Sequence, residues 1–413
     1  MLELFSILVT TAALFGWVSK RWLKLPLTIG TMLLTVVAST LLLVFSHSLP
    51  AVHHWAMHLV GAINFEDLIL HGMLALLLFA GSVLLDLEAL AKEKLAVTML
   101  SLPGTLLSTL ATAAMLRFLL PLIGMHIPWL QCLFFGALIS PTDPIAVLEM
   151  LRRVGVPGNI QAQLAGESLF NDGVGAVLFI ALLEAARGAT PTPLHVLSFL
   201  LFKAGGGLVF GIACAWITSV LMRTIEAYEV DILLSIALAV GSYALAERLH
   251  LSAPLTAVAA GIAIRQFNRQ YAHPQIAHES LDRFWEVIDE IQNAILFVLL
   301  GLEILAIPFA RLAVEAGALA IATVTLVRLA VVATILFLVR LLQPTHRSSI
   351  RTLTWGGLRG SLSLALALSV PKDQGREWML VATYSVVLFS ILVQGVSMGP
   401  FLRKLGNFSP PAS

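Results

Sequence analysis

Five charged side chains stand inside long apolar stretches of this sequence: Asp143, Glu167, Asp172, Arg328 and Arg359. A charged group at the centre of a bilayer costs about 2.5–3.5 kcal/mol on insertion scales, so each charge needs a partner or a function. Three negative and two positive charges leave one net negative charge. The set therefore predicts a site for one monovalent cation or one proton.

The segment Ser140-Pro-Thr-Asp-Pro144 carries the first of these charges. Each proline lacks a backbone N–H, which leaves the carbonyls of Ala137 and Ser140 without their helical partners. Free carbonyls at membrane depth are tolerated where they line a cavity, and there they suit a hard cation. The alternative is a simple proline kink in which Thr142 and Asp143 cap the second half-helix.

The segment Gly166-Glu-Ser-Leu-Phe-Asn-Asp-Gly173 carries two more charges. On a helix, Ser168 and Asp172 share one face, and Glu167 and Asn171 lie on the adjacent face. Two neighbouring rows of oxygen ligands on an otherwise apolar helix favour a binding site over a polar patch that satisfies itself.

The two arginines keep their charge in a protein and need fixed anions. We expect Glu167 to pair with Arg328, because Asp172 has to remain free to release its ligand. Arg359 lies within Trp355-Gly-Gly-Leu-Arg-Gly360, where the glycines weaken the helix and allow close approach of another backbone.

The composition determines what elements must position these residues. Of 413 residues, 58% are apolar and 12% are charged, and the mean hydropathy is +0.92. A soluble protein carries roughly 25% charged residues, so the composition excludes a cytosolic enzyme, a nucleic-acid-binding protein and a disordered scaffold. The net charge of +1 offers no basic surface to nucleic acid. The long unbroken apolar runs predict an all-α polytopic membrane protein.

The apolar runs predict thirteen transmembrane helices in a single domain that fills residues 1–413, with no soluble domain. The tenth begins amphipathically, and Glu286–Asn293 either lines a passage or faces the bundle interior. The spans lie near residues 4–18, 25–46, 66–85, 95–117, 127–149, 160–186, 194–221, 229–248, 252–265, 284–307, 312–341, 352–370 and 377–398.

The distribution of Lys and Arg predicts the orientation of the chain. With the N-terminus outside, the predicted cytoplasmic loops hold 16 of these residues and the outer loops hold 6. Because Lys and Arg favour the cytoplasmic side, we expect a multi-pass protein of the cell membrane with its C-terminus in the cytoplasm.

The fifth and twelfth spans are both interrupted, and they cross the bilayer in opposite directions because they are seven spans apart. Interrupted helices at corresponding positions of two halves indicate an inverted-repeat transporter with its site at the midplane. Where half-helices meet, Asp143 can offset positive N-termini and Arg359 negative C-termini.

Five segments together resemble the sodium/proton exchangers of prokaryotic type, the electroneutral branch of the monovalent cation:proton antiporters. They occur in the order found in that family and cover nearly the whole chain. They are SPTDP (140–144), GESLFND (166–172), the intramembrane Arg328, GGLRGSLSLALALSVP (356–371) and FWEVIDEIQNAILFVLLGLEI (284–304).

The resemblance implies a homodimer of thirteen-helix chains in which the unwound fifth and twelfth helices cross. It implies that Asp172 carries Na⁺ and the proton, with Ser168 and the Thr142 carbonyl as further Na⁺ ligands. Glu167 and Arg328 become a structural ion pair. Asn171 stands where electrogenic relatives have a second aspartate.

The resemblance also bears on two further features of the chain. Ala80 stands where some relatives carry a glutamate that reaches the ion. The transport helices are expected at about 66–186 and 284–398, and the remaining helices serve as scaffold and dimer interface.

The predicted function is secondary active exchange of Na⁺ or Li⁺ for H⁺, electroneutral at 1:1, by alternating access, with both ions competing for Asp172. No enzyme activity or cofactor is expected, and no phosphate-binding GxxxxGK[ST] loop indicates a role for ATP. A K⁺/H⁺ antiporter of the same architecture and a cation channel are alternatives. An intramembrane hydrolase that uses Ser168 is a third, although the chain lacks a GxSxG elbow and a histidine deep in a span.

Overall fold

The structure is a computed structural model of the chain. It describes residues 2–45, 72–143, 145–186, 193–225, 227–270, 275–303, 305, 311–343 and 350–405. Within these ranges the chain is helical with short connections and contains no strand, which confirms the all-α prediction.

Eighteen α-helices occur in the described residues. In chain order they are α1 Leu2–Val18, α2 Leu27–Val44, α3 Leu74–Val83, α4 Leu87–Lys92, α5 Lys94–Ser101, α6 Pro103–Leu119, α7 Trp129–Ile139, α8 Ile145–Val154, α9 Gly158–Ala186, α10 Pro193–Met222, α11 Tyr228–Arg248, α12 Ala253–Gln270, α13 Gln275–Glu303, α14 Arg311–Leu342, α15 Ile350–Trp355, α16 Ser361–Leu368, α17 Arg376–Phe389 and α18 Val396–Leu405.

Seven helical segments of the described residues are long and apolar enough to cross a membrane. They lie at Leu27–Val44, Lys94–Ile123, Gly158–Ala186, Phe202–Met222, Tyr228–Arg248, Arg311–Leu342 and Arg376–Leu402. The chain is thus a multi-pass membrane protein. Each of the thirteen predicted spans overlaps helical residues, and the number that cross the bilayer stays a prediction.

Two predicted spans have limits that differ from those of the helices, because these helices continue into turns that carry charged residues. The apolar pattern predicts that the tenth span begins at residue 284, whereas α13 begins at Gln275. The difference arises because the amphipathic first turns belong to the same helix. The fifth span was expected to end at 149, and α8 continues to Val154 for the same reason. The start of the third span (66–71) and residues 304, 306 and 307 of the tenth lie outside the described residues.

The helices pack as two groups. In the first bundle, α1, α2 and α3 pack with α10, α11, α12 and α13. In the second bundle, α5, α6, α7 and α9 pack with α14, α16 and α17. The helix α9 also contacts α10 and α12, and so it joins the two bundles.

The division into transport and scaffold helices stays a prediction. Of the spans predicted as transport helices, those at 66–85 and 284–307 correspond to α3 and α13, which pack mainly within the first bundle. The physical reason lies in the buried Trp285 of α13. Its ring centroid is 4.8 Å from that of Phe79 on α3, and its Nε1 donates to Ser235 Oγ of α11 at 3.1 Å.

Candidate functional site

Two interrupted helices meet in the second bundle. Between α7 and α8 the chain leaves the helix at 140–143, where Pro141 removes a helical donor, and Pro144 lies outside the described residues. Between α15 and α16 the chain leaves the helix at 357–360. The backbone N–H of Asp143 donates to the Leu358 carbonyl at 2.8 Å, so the two interruptions are bonded directly to each other.

Thr142 is held against α9 at three points. Its backbone N–H donates to Asn171 Oδ1 at 3.2 Å, and Asn171 Nδ2 donates to Thr142 Oγ1 at 2.9 Å. The hydroxyl of Ser168 donates to the Thr142 carbonyl. Ser168 Oγ and the Thr142 carbonyl, both expected as ligands, are thus neighbours. A serine bonded in this way to a carbonyl has no base to activate it in that contact, which disfavours the hydrolase alternative.

Glu167 and Arg328 form a buried, bidentate ion pair. Arg328 Nη1 contacts Glu167 Oε1, and Nη2 donates to Oε2 at 2.8 Å. Nη2 also donates to the Leu353 carbonyl at 3.0 Å. Glu167 is 1% exposed and Arg328 is 6% exposed. The pair therefore neutralises both charges and connects α9, α14 and α15.

Arg359 belongs to the 357–360 interruption and contacts the 140–143 interruption through its side chain. Its Nη1 donates to the Pro141 carbonyl at 3.2 Å, and its backbone N–H donates to Ser390 Oγ at 2.8 Å. The charged groups that act on Asp172 are Asp143, which repels a negative charge there, and Arg359, which attracts it. Asp172, Asp143 and Arg359 thus form one electrostatic group.

A cavity of about 670 Å³ leads to Asp172, which is room for many water molecules. Thr142, Asp143, Ser168 and Asp172 line it, and of these Thr142 and Ser168 are buried. Charged residues from α3–α4, α12 and α13 line it as well, and Asp86, Glu286 and Glu290 among them are exposed. Cations are therefore favoured in the space that leads to Asp172.

On the C-terminal side of Asp172, α9 packs against α7 and the 140–143 segment. Gly175 lies so close to Pro141 that an added Cβ would stand 3.0 Å from its Cδ. Further along the same two helices, the rings of Phe134 and Phe179 pack edge to face, with centroids 5.6 Å apart and both side chains buried. These contacts pack α7 and the 140–143 segment closely against α9.

The structure brings together all eight residues that the sequence singles out. Thr142, Asp143, Ser168 and Asp172 line the cavity, while Asn171 and the Glu167–Arg328 pair lie directly behind them and Arg359 bridges the two interruptions. The buried Ala80 is not among the cavity-lining residues, whereas the adjacent Gly81 is.

Sequence reasoning missed several polar residues of the cavity wall. Ser361 and Ser363 line it from α16, and alternating serines directly after the glycine-rich interruption were the available signal. On α13 the cavity is lined by Asp282, Glu286, Asp289, Glu290 and Asn293, so one face of the amphipathic stretch borders this cavity.

Comparison with known proteins places these features in a wider context. Residues 9–404 match the model of a family described as "Sodium/hydrogen exchanger, transmembrane". The Na(+)/H(+) antiporter NhaP of Pseudomonas aeruginosa is 39% identical over 411 residues, 98% of this chain and 97% of the relative. The Na(+)/H(+) antiporter NhaH of Halobacillus aidingensis is 34% identical over 365 residues, 87% of this chain and 88% of the relative.

A solved structure shows the same fold. The sodium proton antiporter MjNhaP1 from Methanocaldococcus jannaschii, determined at pH 8, superposes with a TM-score of 0.77 and 18% sequence identity. The match covers 98% of this chain and 99% of that chain.

Proposed function

Because the chain belongs to the sodium/hydrogen exchanger family, we propose that it exchanges Na⁺ for H⁺ across the cell membrane. Asp172 is the shared site of the two ions, and Ser168 Oγ and the Thr142 carbonyl complete the Na⁺ site. Exchange is electroneutral, with one Na⁺ for one H⁺, and it proceeds by alternating access. The protein moves ions without catalysing a chemical reaction.

The contrast between two carboxylates on α9 carries this proposal. Glu167 is bound at both oxygens by Arg328 and is 1% exposed, whereas Asp172 lines the cavity. A carboxylate can take up and release an ion only where the ion can reach it and no fixed cation occupies it. Asp172 meets both conditions, and Glu167 meets neither.

Competition at Asp172 explains why the two fluxes are coupled. A carboxyl group removed from water holds its proton more tightly, and a bound cation displaces that proton. An empty carboxylate at membrane depth is costly, so the site changes sides only when Na⁺ or H⁺ occupies it. One free negative charge then carries one positive charge in each direction.

The cavity is consistent with alternating access. With the N-terminus outside, as the Lys and Arg distribution favours, the exposed cavity residues Lys20 and Asp86 lie on the cytoplasmic side. The Phe134–Phe179 layer then closes the outer side. Access from outside requires the second bundle to move against the first, and we propose that this movement occurs in a homodimer.

The proposal is tested by reconstitution into proteoliposomes that contain a pH-sensitive dye. Pulses of NaCl and of LiCl are expected to drive proton flux in the same direction, and pulses of KCl are expected to drive little. Asp172→Asn removes the ionisable group and is expected to abolish this flux. Asp373→Asn makes the same chemical change at an exposed residue of the 372–374 turn and is expected to leave the flux intact.

Three results would contradict the proposal. If Asp172→Asn still shows cation-driven proton flux, Asp172 is not the shared binding site of Na⁺ and H⁺. A larger response to KCl than to NaCl identifies a K⁺/H⁺ antiporter. Na⁺ flux that needs no counter-moving proton identifies a channel.

A further inference from the structure

One face of α13 presents a row of polar side chains to the cavity. Asp282, Glu286, Asp289 and Asn293 follow each other at intervals of three or four residues, and all four line the cavity. Residues at this spacing lie on the same face of a helix. The row passes from the partly exposed Asp282 to the fully buried Asn293, so it descends from the mouth of the cavity into the protein.

The side chain at the inner end of this row has an oxygen without a donor. Asn293 is 0% exposed, and its Nδ2 donates to the Asp289 carbonyl at 2.8 Å. Its Oδ1 accepts no hydrogen bond from the described residues. A buried oxygen left without a partner is costly, and here the unsatisfied oxygen belongs to a residue that lines the cavity.

The groups around Asn293 favour a cation as the missing partner. Leu74, Leu77 and Leu78 of α3 line the same cavity, and their side chains carry no hydrogen-bond donor. One turn away on α13, Asp289 adds a carboxylate. The more exposed Asp282 lies 3.3 Å from Arg265 Nη1 through its Oδ1.

We propose that Asn293 and Asp289 form an approach site, at which Asn293 Oδ1 and the Asp289 carboxylate hold a Na⁺ that has lost part of its water. Amide and carboxylate oxygens are the ligands that hard cations prefer. The approach site rests on the proposed exchange function and adds a second binding step to it. Na⁺ stops there before it moves along the cavity to Asp172.

The first experiment measures the Na⁺ dependence of exchange in proteoliposomes. Asn293→Leu keeps the size of the side chain and removes the oxygen. It is expected to raise the Na⁺ KM about fivefold to tenfold, the value of one lost polar ligand, with the rate at saturating Na⁺ and its pH profile nearly unchanged. Asn293→Asp keeps an oxygen and adds charge, so its Na⁺ KM is expected to equal or fall below the wild-type value.

Gln292 supplies the matched control. It is the neighbouring buried amide, its Oε1 also lacks a donor among the described residues, and its Nε2 donates to the Met73 carbonyl at 3.4 Å. It does not line the cavity. Gln292→Leu is therefore expected to leave the Na⁺ KM unchanged.

A second experiment measures binding directly, which keeps the proposal testable if Asn293→Leu transports poorly. Purified Asp172→Asn protein is expected to bind ²²Na⁺ weakly, and adding Asn293→Leu is expected to remove that binding. Three results would each overturn the approach site. They are an unchanged Na⁺ KM in Asn293→Leu, equal shifts of the Na⁺ KM in Asn293→Leu and Asn293→Asp, and ²²Na⁺ binding to Asp172→Asn that is the same with and without Asn293→Leu. Failure of the exchange function itself is distinct, because wild-type protein would then show no Na⁺-driven proton flux.

Discussion

Glu167 and Asp172 show how surroundings give one chemical group two functions. Both are carboxylates on α9, five residues apart, yet Arg328 binds the first at both oxygens while the second lines a cavity. The arginine also donates to the Leu353 carbonyl. The ion pair therefore contributes to structure, because it joins three helices, while Asp172 is left for transport.

The first prediction concerns this ion pair. Arg328→Gln leaves Glu167 as an uncompensated buried charge and is expected to destabilise the protein by about 3–5 kcal/mol. The double variant Glu167→Gln/Arg328→Gln removes both charges and is expected to be more stable than Arg328→Gln alone. Thermal unfolding of the purified variants in detergent measures both effects. Additive losses in the double variant would show that the two side chains do not interact.

At the scale of elements, two broken helices create the site that neither forms alone. The interruption at 140–143 exposes the Thr142 carbonyl, and the interruption at 357–360 supplies Arg359. They approach closely because Gly360 has no side chain: an added Cβ would stand 2.6 Å from the Asp143 Cβ. Close backbone contact is thus a condition for the geometry of the site.

The second prediction tests that contact. Gly360→Ala forces Asp143 and the 140–143 segment apart from 357–360, at a cost of about 1–3 kcal/mol for such overpacking. We expect the Na⁺ KM to rise about tenfold or more. Gly241→Ala in α11 is the control, since nothing lies within 4 Å of its added Cβ. If Gly360→Ala and Gly241→Ala have the same Na⁺ KM, the contact between Gly360 and Asp143 does not affect ion binding.

At the scale of the whole molecule, α9 carries residues of the cavity lining and residues of a packed apolar layer. Ala165 and Ala176 lie on α9 on either side of Asp172. Ala165 lines the cavity, whereas Ala176 is buried and is not among the cavity-lining residues. The same substitution at these two positions can therefore report which side of the site is open.

The third prediction uses this pair in a background in which Cys132 and Cys214 are replaced by alanine. A membrane-impermeant thiol reagent applied from the cytoplasmic side is expected to label Ala165→Cys and to leave Ala176→Cys unmodified. Labelling is measured by mass shift in inside-out vesicles. Modification of both positions from the same side would indicate a continuous pore and favour a channel over an exchanger.

The fourth prediction follows from the charge balance of the site. Arg328 and Arg359 offset two of the three carboxylates Asp143, Glu167 and Asp172, which leaves one charge to carry one ion. Imposing a membrane potential with K⁺ and valinomycin is then expected to leave the rate of Na⁺/H⁺ exchange nearly unchanged. A rate that follows the imposed potential would show that the cycle moves net charge.

Much of the fold follows from local properties of the sequence. Long apolar runs predict helices, and Pro141 and the glycines of 356–360 predict where two of them break, because a proline lacks a donor and a glycine weakens a helix wherever it stands. The limits of α13 were harder to predict, since its first turns carry charge and apolarity no longer marks the helix.

The sequence by itself determined the membrane class, the two helix breaks and the group of charges around Asp172, since these depend on residue types and short spacings. Only the tertiary structure decided that α3 and α13 pack with the first bundle, and that Asp172 and Asn293 line the same cavity. These features depend on which faces of distant helices meet. Spacing along the chain specifies a face of a helix, but the neighbour of that face is set by packing of the whole molecule.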